Sequence, residues 1–200
     1  MNPQDGSERP TPDGGSSGPL AAGSLRLFVA LPVDEDVRTR LVDAVGHVRE
    51  ETPGWRWTRP EGWHVTLAFL GEVDGRRLDD VARAVGAATT GRGPVVLRLG
   101  RPGHFGRGVL HVAVEDEPTG AVADLGGRVQ EALAEADLPV RPRAVRPHLT
   151  LARARRRARP QVPPLAVPQG AWTVDAVRLY ASRLGPGGSV YEELERLPLS

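Results

Sequence analysis

The sequence predicts an α+β protein of two pseudo-symmetric lobes, with antiparallel or mixed sheets flanking a central groove and helices outside. Three observations carry this. Short apolar runs bounded by Gly, Pro and Asp alternate with stretches of helical periodicity, and several of the strands are joined by turns too short for a parallel crossover. One pattern, His-x-Thr-Leu, occurs twice, as His64-Val65-Thr66-Leu67 and His148-Leu149-Thr150-Leu151. Each copy is preceded by the same succession of strand, acidic cluster and helix. The motifs lie 84 residues apart, as do the starts of the opening strands at Leu25 and Val109, which points to an internal duplication.

The elements follow in chain order. Residues 1–24 are rich in Gly, Pro and Ser and carry no apolar periodicity, so a disordered tail is expected ahead of one bilobal domain over 25–200. The tail has no apolar core of the kind a secretory signal needs. Leu25 to Pro32 forms a strand, and the acidic run Asp34-Glu35-Asp36 opens a helix to Glu50. Trp55-Arg56-Trp57 is extended. Residues 63–70 form the first motif strand, ending at Gly71. A helix over 74–90 sets Leu78, Val81, Ala82 and Val85 on one face, and a strand over 95–101 leads through a Gly-rich turn to a strand over 108–114. A helix over 118–136 precedes the second motif strand, 147–153. Pro160, Pro163, Pro164 and Pro168 impose an open loop, and two strands, 172–182 and 189–197, close the chain as a hairpin.

Composition removes several kinds of chemistry. The chain has no Cys, which excludes disulfides, thiolate nucleophiles and Cys-ligated zinc. It has no Lys, which excludes a lysine nucleophile; all 26 basic residues are Arg, the side chain suited to bidentate phosphate contacts. A net charge of +1 leaves no strong long-range field to attract nucleic acid. With no run of eighteen apolar residues, no membrane helix is expected, and the expected compartment is the cytoplasm.

With a period of two, His and Thr of each motif share one face of a strand while the intervening residues face the core. Two such strands would bring together two imidazoles and two hydroxyls. An imidazole can take or give a proton near neutrality, and a hydroxyl can donate to a phosphoryl oxygen. This inventory suits metal-free cleavage of a phosphodiester. A metal centre would want converging carboxylates, and neither motif has one beside it on its own face.

The strands His64-Val65-Thr66-Leu67-Ala68-Phe69-Leu70-Gly71 and Arg146-Pro147-His148-Leu149-Thr150-Leu151-Ala152-Arg153 resemble the two signature strands of the 2H phosphoesterases. They are most similar to the bacterial and archaeal RNA 2′,3′-cyclic phosphodiesterases, also called 2′-5′ RNA ligases. The opening Arg26-Leu27-Phe28-Val29-Ala30-Leu31 and the closing Leu179-Tyr180-Ala181-Ser182, with Tyr191 beyond, fit the same family. The resemblance implies a bilobal fold and opening of RNA 2′,3′-cyclic ends to a 2′-phosphate, with reversible joining of 2′-5′ linkages. It implies no metal and no cofactor. It assigns His64 as proton donor, His148 as proton acceptor, and Thr66, Thr150 and Arg153 as phosphate-binding. The expected partners are RNA ends or small cyclic-phosphate nucleotides, met by a monomer. Two alternatives stay open: a phosphodiesterase of another small cyclic or 2′-5′ nucleotide, and a non-catalytic module that holds RNA ends.

Other residues are read as structural. His47 and His104 have no partner pattern, and Phe28 is expected in the core rather than stacked on a base. His111 faces either core or groove. The run Arg155–Arg157 is expected to be a solvated loop rather than an RNA contact.

Overall fold

The computed structural model describes residues 23–106, 108–155, 161–185 and 188–200. The tail expected over 1–24 falls almost wholly outside them, as do Arg156 and Arg157. Among the described residues no helix is long and apolar enough to cross a membrane.

Nine strands and three α-helices follow in the order β1 (Ser24–Pro32), α1 (Glu35–Arg49), β2 (Trp55–Trp57), β3 (His64–Asp74), α2 (Leu78–Thr89), β4 (Val95–Phe105), β5 (Val109–Glu117), α3 (Ala121–Glu135), β6 (His148–Ala154), β7 (Ala171–Val174), β8 (Ala176–Gly185) and β9 (Gly188–Pro198). The acidic clusters cap helices as their position suggests. The Asp34 carboxylate accepts from the backbone N–H groups of Asp36 and Val37 ahead of α1. Asp116 accepts from Gly120 and Val122 ahead of α3.

All strands belong to one sheet, ordered β7-β4-β5-β6-β3-β1-β8-β9, with β2 added to β6. Every pairing is antiparallel, so the sheet is not mixed. The lobes are the two halves of this sheet, joined where β3 meets β6 through the single pair Val65 and Leu149. Val65, Leu67, Leu149 and Leu151 belong to one hydrophobic core shared with Val81 and Val85 of α2 and Val122, Leu125, Val129 and Leu133 of α3. The opposite face of β3 and β6 carries the histidines and threonines.

Four sequence expectations need correction. Gly71 does not end the first motif strand. It takes a left-handed φ of 76° at a bulge, and β3 runs on to Asp74. The helix over 74–90 opens instead as a 3₁₀ turn, Gly75–Arg77, and in α2 Ala84 rather than Ala82 is buried. The strand expected over 172–182 is two strands divided at Asp175: β7 pairs with β4 in one lobe, β8 with β1 and β9 in the other. The chain therefore crosses back to complete the first lobe. Last, the offset of 84 does not hold throughout. Val65 pairs with Leu31 and Leu149 with Val112, so the partner strands are related by 81 residues although the motifs are 84 apart.

Candidate active site

The register of the central pair positions the site. Because Val65 faces Leu149, continuing one residue either way sets His64 across from Thr150 and Thr66 across from His148. The four side chains line one cavity of about 770 Å³.

The two imidazoles are fixed in the same way. Nδ1 of His64 donates to the carbonyl of Gly62 at 2.7 Å, and Nδ1 of His148 donates to the carbonyl of Arg146 at 2.6 Å. A carbonyl only accepts, so each neutral ring carries its proton on Nδ1 and leaves the lone pair on Nε2. At both positions the anchor is two residues back, so the duplication preserved the tether along with the motif.

The environments differ. His64 packs on Phe28 at 4.7 Å between centroids and meets Tyr191 edge-on at 5.2 Å. Burial there lowers its pKa from 6.5 to about 4; the Gly62 hydrogen bond opposes this and the charge of His148 adds to it. His148 meets Phe105 edge-on at 4.7 Å. Its pKa is lowered too, by burial first and then by the Arg143 and Arg153 guanidiniums, with the Arg146 carbonyl acting the other way. Gly62 serves the first tether twice, because a Cβ there would come within 3.1 Å of the Tyr191 ring.

Arg153 reaches the cavity through a bulge. On β5, His111 pairs with Thr150 and Leu110 with Ala152, so Leu151 is the extra residue. The alternation flips there: Leu151 and Ala152 are both buried, and Arg153 lines the groove with His148 and Thr150. The first lobe repeats the device. Ala30 pairs with Thr66 and Val29 with Ala68, so Leu67 is extra, and Phe69 is rotated into the groove at the position equivalent to Arg153.

Each bulge carbonyl is satisfied from the other lobe. The Gln130 amide, 4% exposed on α3, donates to the carbonyl of Leu67 at 2.9 Å and accepts from the backbone N–H of Arg143 at 2.6 Å. The Thr58 hydroxyl, between β2 and β3, lies 2.8 Å from the carbonyl of Leu151 and accepts from the Trp63 indole at 2.9 Å. These cross-ties fix the motif strands against each other where only one residue pair joins the sheet halves.

Around the threonines and histidines the cavity wall carries Arg26, Arg56, Arg59, Arg143, Arg146 and Arg153 against one carboxylate, Glu61. A chain of net charge +1 thus concentrates cationic groups in its groove. Among the described residues no group of three or more His, Asp or Glu is placed to hold a metal ion.

The remaining sequence candidates are also located. Phe28 is 2% exposed, buried as expected, but against His64, Tyr180 and Tyr191 rather than in the main core. His111 lies on the groove side, stacked under Phe105 at 4.0 Å and 5.6 Å from His148. His47 and His104 are exposed. Arg155 donates to the carbonyl of Pro53 at 2.8 Å and so helps hold the loop before β2. Sequence reasoning missed Thr58, Gln130, Phe69, Phe105 and Arg143. Only Phe69 left a signal, as the residue that the motif offset aligns with Arg153.

A duplicated His-x-Thr strand, paired about a pseudo-twofold axis in one groove, defines a two-histidine phosphoesterase. The model of the LigT like Phosphoesterase family matches the chain twice, over residues 31–111 and 112–191, and the chain belongs to that family. The two matches begin 81 residues apart, the spacing of Leu31 and Val112 in the strand register. Among curated relatives, the RNA 2′,3′-cyclic phosphodiesterase of Thermus thermophilus is 34% identical over 182 residues, covering 88% of this chain and 90% of the relative. The Thermotoga maritima protein of the same name is 25% identical over 177 residues, covering 85% and 93%. A crystal structure of a Thermus thermophilus protein superposes with a TM-score of 0.75 at 31% identity, covering 88% of this chain and 98% of that one. E. coli LigT in complex with NADP+ gives 0.70 at 26% identity, covering 88% and 99%.

Proposed function

We propose that this chain opens RNA 2′,3′-cyclic phosphodiester ends to 2′-phosphates by two-histidine acid–base catalysis. The observation that carries the mechanism is the matched tethering: two imidazoles, each held through Nδ1 by a carbonyl two residues back, line one cationic cavity with Nε2 unengaged. Membership of the LigT-like family and the names of the curated relatives support the substrate class.

In this reading His148 takes a proton from water as the water oxygen bonds to phosphorus. The bond from phosphorus to O3′ breaks, and His64 gives a proton to the departing O3′. One water is consumed, and a 2′-phosphate and a 3′-hydroxyl result. Thr66 and Thr150 donate to the non-bridging oxygens, and Arg153 neutralises their charge. Nearby guanidiniums suit His148 to a base that starts neutral. Burial also keeps His64 neutral in the free protein, so its proton must arrive with the substrate, whose negative charge raises the ring's pKa. The protein acts as a monomer on RNA ends or small cyclic-phosphate nucleotides, without metal or cofactor, in the cytoplasm.

The test is incubation of purified protein with RNA ending in a 2′,3′-cyclic phosphate and, separately, with 2′-5′-linked RNA, assigning the position of the product phosphate. A 2′-phosphate product that forms unchanged in chelator is expected. A 3′-phosphate product, or activity that chelator removes and a divalent ion restores, contradicts the reading.

A further inference from the structure

Beyond the two half-sites the groove holds an aromatic ring that the phosphodiester chemistry does not use. Phe69 is 46% exposed although it belongs to a central strand. The Leu67 bulge turns it out of the core, and the Arg143 guanidinium lies 4.8 Å from its ring centroid. One side chain holds both members: Gln130 bonds the bulge carbonyl at Leu67 and the backbone N–H of Arg143. Burying an amide is unfavourable unless its hydrogen bonds are made. Here those bonds fix a half-exposed ring and a cation, one from each lobe, on the wall of the substrate cavity.

We propose that Phe69 and Arg143 form a stacking platform for the base of the nucleotide preceding the one that carries the cyclic phosphate, so that the site prefers an RNA chain end to a mononucleotide. The proposal rests on the cyclic phosphodiesterase reading. Three residues separate Thr66 from Phe69, about 10 Å at the rise of a strand. Phe28 fills the space between, 4.7 Å from His64 and 6.0 Å from Phe69. The base on the reacting ribose stays beside the His64 half-site, and the platform lies one nucleotide further out. Aromatic rings and arginine planes are the usual stacking partners of unpaired RNA bases. Every base has a π-face, so the platform should tolerate any sequence.

The test compares a trinucleotide ending in a 2′,3′-cyclic phosphate with the corresponding cyclic mononucleotide, for the wild type, Phe69→Ala and Phe69→Trp. Alanine should lower the trinucleotide-to-mononucleotide ratio of kcat/KM by about tenfold, the loss of one stacked base, and tryptophan should restore it. A ratio unchanged by alanine overturns the proposal, whether both rates fall together or neither falls. Titration with the 2′-phosphate trinucleotide and mononucleotide provides a second arm. If the wild type opens neither substrate, the phosphodiesterase reading fails by itself. Tighter trinucleotide binding that Phe69→Ala abolishes still supports the platform, and equal binding of the two refutes it.

Discussion

The two half-sites share a scaffold and differ in what surrounds it. Around His64 the walls are rings, Phe28 and Tyr191, and burial dominates its pKa. Around His148 one ring, Phe105, is joined by Arg143 and Arg153, whose charges add to burial. The sharpest contrast is at equivalent positions turned into the groove by equivalent bulges, where the first lobe offers Phe69 and the second Arg153. Duplication supplied the tethered imidazole, the hydroxyl and the bulge twice. Divergence at the position after the bulge made one half apolar and the other cationic, which gives a symmetric frame a direction for an asymmetric substrate.

The largest effects should come from what the halves share. His64→Ala and His148→Ala should each lower kcat by about 10²–10⁴-fold, the range of one acid or base role, with unchanged circular dichroism. A variant that keeps more than about a tenth of the wild-type rate removes that histidine from the acid–base pair.

Arg153→Ala probes what the halves do not share. Loss of one charge-assisted contact should lower kcat/KM by about 10–100-fold. The same substitution at Phe69 should act chiefly on longer substrates. If both act alike on a mononucleotide, the contrast drawn at these positions is wrong.

Acid should expose the burial of the histidines. The pKa of His64 is about 4 in the folded protein against 6.5 for the free side chain, and His111 and His148 are lowered as well. Between those values the unfolded chain binds more protons than the folded one. Stability is therefore complete above pH 6.5 and falls as the pH drops toward 4, by roughly 3 kcal/mol for His64. Urea melts at pH 7 and 4.5 should show the loss, and His64→Gln should reduce it. The optimum of kcat/KM, which reports the free protein, should lie below pH 6.5, with apparent values that belong to the pair.

The smallest effects concern the cross-ties. Gln130→Leu leaves the Leu67 carbonyl and Arg143 N–H unpaired, and Thr58→Val does the same to the Trp63 indole. Each should cost about 1–3 kcal/mol in urea melts. Gln130→Leu should also narrow the trinucleotide preference; Thr58→Val should leave it as it is.

Much of this was legible in the sequence because it rests on local patterns. The alternation in β1, β3 and β6 and the acids before α1 and α3 mark elements directly, and two copies of His-x-Thr-Leu mark the reacting groups. What escaped depends on partners distant in the chain. A bulge is a relation between two strands, so nothing local shows that Leu67 and Leu151 shift the face of Phe69 and Arg153, or that Gly71 bends its strand without ending it. Asp175 divides β7 from β8 because they pair with opposite lobes, which one continuous apolar alternation conceals. Gln130, a polar residue on an amphipathic helix, reads as surface until the Leu67 carbonyl is found beside it.

The division of labour between the histidines is tested most directly with a nucleotide phosphodiester whose leaving group is a nitrophenolate. That group departs without a proton, so the acid becomes dispensable and the base does not. His64→Ala should recover most of the wild-type rate on this substrate and His148→Ala should stay inactive. Recovery by His148→Ala alone would exchange the roles, and equal recovery by both would contradict an acid–base pair.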